Sequence, residues 1–183
     1  MKLNKKQKFI LIVIVSLVAV FGSTGLITYY ITSPKPITKY NFYGAELKFR
    51  HDLREAKNIS VYPDEETILN AIWNPDIINV SIAYVNSSDN SIVAVNAFEI
   101  TFKLGVGYGR FNWFINFVPM EVESFENLKG SKENLIIALI PPSQSKETKV
   151  KLEDNVIYIT GKTNKELDLA TMKFLMSALN ITV

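Results

Sequence analysis

The stretch that decides the fold is VIYITGKTNKELDLATMKFLMSAL, residues 156–179. Its first five residues are all β-branched or aromatic, which predicts a strand over 156–160. Thr163 and Glu166 follow in the T-x-x-E pattern of a capping box, which marks the start of a helix. Apolar residues then recur every three to four positions up to about Leu179, as in an amphipathic helix. A strand that leads directly into a helix is the repeating unit of an α/β fold.

Before this stretch, short β-like runs alternate with helical stretches in the same way. The near-continuous apolar run over 135–140 is typical of a central strand that is buried on both faces. The pattern predicts one compact α/β domain with a mixed, mostly parallel sheet over residues 40–183. Further strands are predicted over 46–50, 59–62, 77–85 and 111–118, and helical segments over 52–57 and 64–73.

Residues 91–104 fit two structures. Their apolar residues alternate with polar ones from Phe98 to Leu104, as in a strand, but they also form one face of a helix. The βαβ rhythm on either side favours a helix. The alternative is a hairpin that turns at Gly107-Tyr108-Gly109.

The first forty residues predict a membrane anchor. Residues 9–31 carry no charge, and a helix of that length spans roughly 35 Å against a hydrocarbon core of about 30 Å. Lys2, Lys5, Lys6 and Lys8 precede it, so the positive-inside rule keeps residues 1–8 in the cytoplasm. We predict a single-pass signal anchor over 9–31, a proline-containing linker over 32–39, and an extracytoplasmic domain over 40–183. The lipid bilayer is the first partner.

A cleaved signal peptide is the competing interpretation of the same segment. The most apolar part, 9–21, has the length of a signal-peptide core, and small residues follow at 22–25. No clean A-x-A cleavage site is present. In either case the domain is exported, and the expected location is the cell membrane with the domain outside.

Composition and motifs exclude several classes of function. The chain has no cysteine, which rules out disulfides, thiolate zinc sites and cysteine nucleophiles. The part after residue 8 has no basic stripe, so no nucleic-acid partner is predicted. Thr160-Gly161-Lys162-Thr163 lacks the first glycine of a phosphate loop, and Gly105-Val106-Gly107-Tyr108-Gly109 is interpreted as a helix cap or turn rather than a dinucleotide fingerprint. No nucleotide, cofactor or metal is therefore predicted.

The catalytic candidates are few. His51 is the only histidine and stands between Arg50 and Asp52. An exposed or helix-capping histidine is favoured there over a general base, so no catalytic residue is assigned. An alternative hydrolytic or ligand-binding site would use carboxylates such as Glu46, Asp52 or Glu123, or the loop at 141–146 beyond a strand end.

Two kinds of surface site are predicted. Phe111, Trp113, Ile115 and Phe117 would share one face of a strand while Phe114 points the other way, which makes Trp113 and Phe114 a candidate interaction patch. Asn58, Asn86 and Asn180 each open an N-x-[ST] sequence and are candidate glycosylation acceptors. Asn79 also opens one, but it lies inside a predicted strand.

The stretch 157–175, with ITGKTNKEL at 159–167, resembles the strand–turn–helix ending of uncharacterised membrane-anchored surface proteins of archaea. VESFENL at 122–128 is similar to a second segment of that family. The resemblance implies a surface location and no activity. The expected function is a non-catalytic membrane-anchored surface or membrane-complex component whose domain binds other membrane or surface proteins. The alternative is a ligand-binding or carboxylate-based hydrolytic domain.

Overall fold

The computed structural model describes residues 38–182. The predicted basic tail (1–8), the anchor helix (9–31) and the first six residues of the linker therefore lie outside the described residues. Within 38–182, no helix is long and apolar enough to cross a membrane.

The described chain forms eight strands, four α-helices and one short 3-10 helix. In chain order these are β1 (Thr38–Phe42), β2 (Ala45–Phe49), α1 (Leu53–Ala56), β3 (Ser60–Tyr62), α2 (Glu65–Ile72), β4 (Asn79–Tyr84), α3 (Asn90–Arg110), β5 (Asn116–Glu121), β6 (Asn134–Ile140), the 3-10 helix (Pro142–Gln144), β7 (Lys149–Glu153), β8 (Val156–Thr160) and α4 (Asn164–Ala178).

Six strands form the main sheet, in the order β3-β7-β8-β6-β4-β5. Four of its five pairings are parallel and the β7–β8 pairing is antiparallel. This confirms the predicted α/β domain with a mixed, mostly parallel sheet. The predicted central strand is β6, whose five middle residues are buried. Strands β1 and β2 form a separate antiparallel hairpin.

The helices cover one face of the main sheet. Tyr108 of α3 contacts Phe117 of β5, which is in register with the buried Val80 of β4. On the opposite face, the connection between β5 and β6 packs Phe125 and Leu128 against a smaller apolar cluster. The hairpin lies over the helices, because the ring of Phe49 lies 4.9 Å from the Lys103 amine on α3.

Edge strand β5 is protected against pairing with another chain. The N–H groups of Asn116 and Val122 point to β4, so position 119 faces outward in the alternating pattern. Pro119 occupies that position and has no N–H to offer. Addition of a further strand at this edge is therefore disfavoured.

Residues 91–104 are helical, as favoured, but the helix is longer than predicted and ends at Arg110. The hairpin alternative is wrong, and so is the interpretation of Gly105–Gly109 as a cap or turn. Gly107 lies inside the helix, and close packing explains the glycine at this position: an added Cβ would lie 2.9 Å from the Leu179 side chain. The next residue, Tyr108, is buried and donates its hydroxyl to the carbonyl of Ile72 at 2.7 Å.

The strand predicted over 111–118 begins only at Asn116. Because α3 runs to residue 110, the N–H groups of Phe111 and Asn112 still bond back to its last turn. Asn112 then adopts a left-handed conformation with φ 54°, which redirects the chain. The predicted face of alternating aromatic residues therefore does not form.

Residues 156–179 fold as predicted, into a strand, a short turn and a helix. The side chain of Thr163 accepts a hydrogen bond from the Glu166 N–H at 3.2 Å at the start of α4. Gly161 makes the preceding turn tight, since a Cβ there would lie 2.2 Å from the Leu167 nitrogen. Residues 160–163 therefore form a strand-to-helix turn.

Candidate functional site

Exposed apolar side chains gather at one edge of the main sheet. Among the described residues, seven large apolar side chains are exposed: Tyr43, Tyr62, Ile78, Phe102, Phe111, Phe114 and Val118. Ile78 directly precedes β4, and Phe111 and Phe114 precede β5. The amino ends of adjacent parallel strands lie at the same edge, and Tyr43 joins them from the hairpin turn. We call Tyr43, Ile78, Phe111 and Phe114 the amino-edge patch.

The patch rests on a layer of half-buried tryptophans. Tyr43 meets Phe111 edge to face, with ring centroids 5.2 Å apart. Beneath them, the ring of Trp73 lies 5.4 Å from that of Phe111 and 5.9 Å from that of Trp113. The Trp73 indole N–H donates to the carbonyl of Ala178 at 2.7 Å, which fixes the ring. The support under the patch is therefore ordered.

The two residues predicted as an interaction patch differ in exposure. Phe114 is 87% exposed, the highest value among the exposed apolar side chains. Trp113 is half-buried and packs against Trp73 and Tyr108. Sequence reasoning therefore identified the loop, but it missed Tyr43 and Ile78, which reach the same edge from distant parts of the chain.

The segment that carries Phe111 and Phe114 is almost uncharged. Residues 105–120 contain a single charged side chain, Arg110. Acidic residues lie beside Ile78: Asp76 is two residues before it, and the Ile78 N–H donates to the Glu133 carbonyl at 2.9 Å. The first residues of β4, β5 and β6 are asparagines in register, and the Asn116 amide donates to the Asn79 carbonyl oxygen at 3.1 Å. Aromatic rings beside adaptable amides are typical of protein-binding surfaces.

The patch is also large enough to be the apolar centre of an interface. Tyr43, Ile78, Phe111 and Phe114 are 69%, 50%, 49% and 87% exposed. At about 150–250 Å² for a large side chain, they present on the order of 400–600 Å². The largest apolar patch on a typical monomer is about 300–600 Å² and is often functional.

A second feature is a polar cleft at the open end of the hairpin. Arg50, just after β2, donates to Asp168 of α4 at 2.7 Å, and its Nε lies 3.9 Å from Glu99 of α3. Asp168 also accepts from the Asn96 amide at 2.9 Å and lies 3.5 Å from His51 Nε2. These charges tie the hairpin to both long helices.

Lys103 extends this cluster into the core. Its side chain is 2% exposed and forms an ion pair with Glu99, one turn earlier on α3. Burial, and then the positive charge of Arg50, lower the pKa of Lys103 to about 7. The Glu99 carboxylate acts in the opposite direction, because it favours the protonated amine. Lys103 does not line the cleft, so it is not placed to meet a substrate.

His51 is neither a cap nor fully exposed. Its side chain is 21% exposed and faces Asp168, whereas Asp52 caps α1 by accepting from the Arg54 N–H. The predicted capping role of His51 is therefore wrong. The helix begins at Leu53, so the capping position is residue 52, and Asp52 occupies it.

The carboxylates named for a hydrolytic site do not form a cluster. Glu46 pairs with Lys39 at 3.1 Å, Asp52 pairs with Arg54 at 2.6 Å, and Glu123 is exposed. Within residues 38–182, no three acidic or histidine side chains come together as they would around a metal ion. In the loop at 141–146, the Ser143 N–H donates to Asp89 at 3.0 Å.

The candidate glycosylation acceptors Asn58, Asn86 and Asn180 are all exposed. Asn180 has a left-handed φ of 52° after α4, a position that favours asparagine for backbone reasons alone. Asn79 is half-buried and its side chain is hydrogen-bonded within the sheet. Of the four sequons, Asn58 and Asn86 therefore have the most suitable surroundings.

The polar cleft was not predicted. The one local signal for its charged residues indicated a solvated surface instead. Glu99 and Lys103 are one helical turn apart, and an oppositely charged pair is expected on a solvated helix face. Only the hairpin that covers this face makes the pair buried.

No protein-family model, curated protein or solved structure matches the chain.

Proposed function

We propose that this protein is a membrane-anchored surface component whose exported domain binds another membrane or surface protein through the amino-edge patch. The observation that carries the proposal is the clustering of Tyr43, Ile78, Phe111 and Phe114 at one edge of the sheet. Exposed apolar groups of this extent are unfavourable in water, so their concentration at one place favours a binding role.

The chemistry of the patch suggests the kind of partner. The apolar centre of the patch would be matched by apolar side chains with polar groups around them, as on a helix or loop of a second protein. Asn79 and Asn116 supply amides that can bond to a partner's backbone.

The anchoring part of the proposal rests on the sequence of residues 1–39. The uncharged segment 9–31 behind four lysines supports a cytoplasmic amino terminus and an exported domain. The chain enters the described domain at Thr38, which pairs with Phe49 at the open end of the hairpin. Tyr43 is at the other end of the hairpin, so the amino-edge patch lies away from the residue at which the chain enters the described domain.

The proposal is tested by purifying the tagged full-length protein from its native membranes after mild cross-linking. Tyr43→Ser and Phe114→Ser together should remove a co-purifying protein that the wild type retains. Tyr62→Ser is the matched control, because Tyr62 is 53% exposed but lies in β3, on the far side of the sheet from β4 and β5. Unchanged co-purification with the double variant would contradict the proposal.

A further inference from the structure

The polar cleft contains two buried polar atoms that have no hydrogen-bond partner among the described residues. They are Oδ1 of Asn96 and Oγ1 of Thr171. Asn96 is fully buried and Thr171 is 2% exposed. Both side chains line the same cleft, together with Arg50, His51 and Asp168.

The orientation of Asn96 defines what the cleft requires. Its amide nitrogen donates to the carbonyl of Ile92 and to the carboxylate of Asp168, both at 2.9 Å. Flipping the amide would turn its oxygen toward these two acceptors, so the hydrogen bonds fix the orientation. The free oxygen therefore needs a hydrogen-bond donor from within the cleft.

The position of Thr171 gives the second contact. Thr171 follows Asp168 by three residues on α4, so the two side chains lie on one helix face. Its hydroxyl can both donate and accept a hydrogen bond. A group seated in the cleft can thus donate to Asn96 and bond to Thr171 at the same time.

Size and charge restrict the occupant. The cleft has a volume of about 20 Å³, and a site needs about 10–15 Å³ to hold one water molecule. Below about pH 7, where Lys103 is protonated, the positive charges of Arg50 and Lys103 balance the negative charges of Glu99 and Asp168. A further buried cation would leave an uncompensated charge, so the occupant should be small and neutral.

We infer that the cleft is a binding site for one internal water molecule, which donates to Asn96 Oδ1 and bonds to Thr171 Oγ1. This water lies where the hairpin, α3 and α4 meet, so it is a structural part of the joint that holds the hairpin. The inference is independent of the amino-edge patch.

The substitution Thr171→Val tests the site by the sign of its effect. Valine has nearly the shape of threonine but no hydroxyl. If the hydroxyl bonds to a water molecule, the variant loses that bond and its melting temperature falls. If the hydroxyl has no partner, valine removes a buried unsatisfied group and the melting temperature rises, which would overturn the inference.

Direct detection decides the matter even if the variant fails to fold. In the wild-type domain, the Asn96 side-chain amide should show a magnetisation-transfer signal from a long-lived water, and a crystal structure should show one oxygen within hydrogen-bond distance of both atoms. The absence of both signals would overturn the inference. The melting temperature is also compared in sodium chloride and in choline chloride at equal ionic strength. A higher melting temperature in sodium chloride would assign the site to a cation and would overturn the inference.

Discussion

Tyr43, in the turn of the hairpin, contacts Phe111, the residue directly after α3, with the two rings nearly perpendicular at 5.2 Å. This contact joins the hairpin to the part of the chain that leads into β5. The hairpin therefore connects the two features of the domain: its turn lies at the amino-edge patch and its open end lies at the polar cleft. We expect substitutions at either end to lower the stability of the hairpin.

Gly44 tests the turn itself. It has φ 83°, and a Cβ would lie 2.5 Å from the Arg110 guanidinium. Gly44→Ala should lower the free energy of unfolding by about 1–2 kcal/mol, because a side chain strains this backbone conformation. Urea unfolding followed by circular dichroism measures the change.

Gly109→Ala is the matched control. Gly109 lies in the last turn of α3, and no atom would come within 4 Å of an added Cβ. Alanine should leave stability unchanged or raise it by up to about 1 kcal/mol. Equal losses for the two variants would show that the special conformation of Gly44 is not what stabilises the turn.

Arg50 tests the attachment at the open end of the hairpin. The side chains of Arg50 and Asp168 are 16% and 12% exposed, so their ion pair is largely removed from water. Arg50→Met leaves Asp168 without its main partner and should cost about 3–5 kcal/mol. Amide hydrogen exchange should show the greatest loss of protection in β1 and β2.

Lys39→Met provides the comparison for that variant. Lys39 is in the same hairpin, but its ion pair with Glu46 is exposed, so its loss should have little measurable effect. A large loss from Lys39→Met, or none from Arg50→Met, would contradict the assignment of hairpin attachment to the polar cleft.

Lys103 makes stability depend on pH. Its pKa falls from 10.5 to about 7 on folding. Between these values the unfolded chain holds a proton that the folded chain releases, so the free energy of unfolding rises with pH across this window. Lys103→Met removes this contribution. The wild type should therefore gain stability relative to the variant between pH 7 and 9.5, by at most about 1.4 kcal/mol per pH unit.

Equilibrium unfolding of both proteins at pH 6, 7.5 and 9 measures this difference. The double variant Glu99→Gln/Lys103→Met serves as the control, since it also removes the buried carboxylate that Lys103→Met leaves without its lysine partner. If the stability of the wild type and of Lys103→Met changes in parallel with pH, then Lys103 keeps its proton and the expected contribution is absent.

Much of the fold could be predicted because local signals agree with it. The strand–turn–helix at 156–179 has its cap, its tight glycine turn and its apolar stripe within one segment, and it folds as expected. The end of α3 could not be predicted in this way. Residues 105–118 are apolar or aromatic almost throughout, so periodicity does not separate a helix that ends at Arg110 from a strand that begins at Asn116.

The candidate sites were harder to predict because they are built from distant segments. Arg50 and Asp168 are 118 positions apart in the chain, and only the packing of the hairpin brings them together. Phe114 could be selected locally for its apolar surroundings. Tyr43 and Ile78 reach the same edge through the topology of the sheet, which a linear pattern does not contain.

The central claim is that the amino-edge patch contacts another protein, and site-specific photo-cross-linking in intact cells tests it most directly. A photoreactive amino acid replaces Phe114 in the full-length protein, and in a second sample it replaces Tyr62. The account predicts one discrete cross-linked protein from position 114, absent from position 62 and lost when Tyr43 is changed to serine. No adduct at position 114, or the same adducts from both positions, would contradict it.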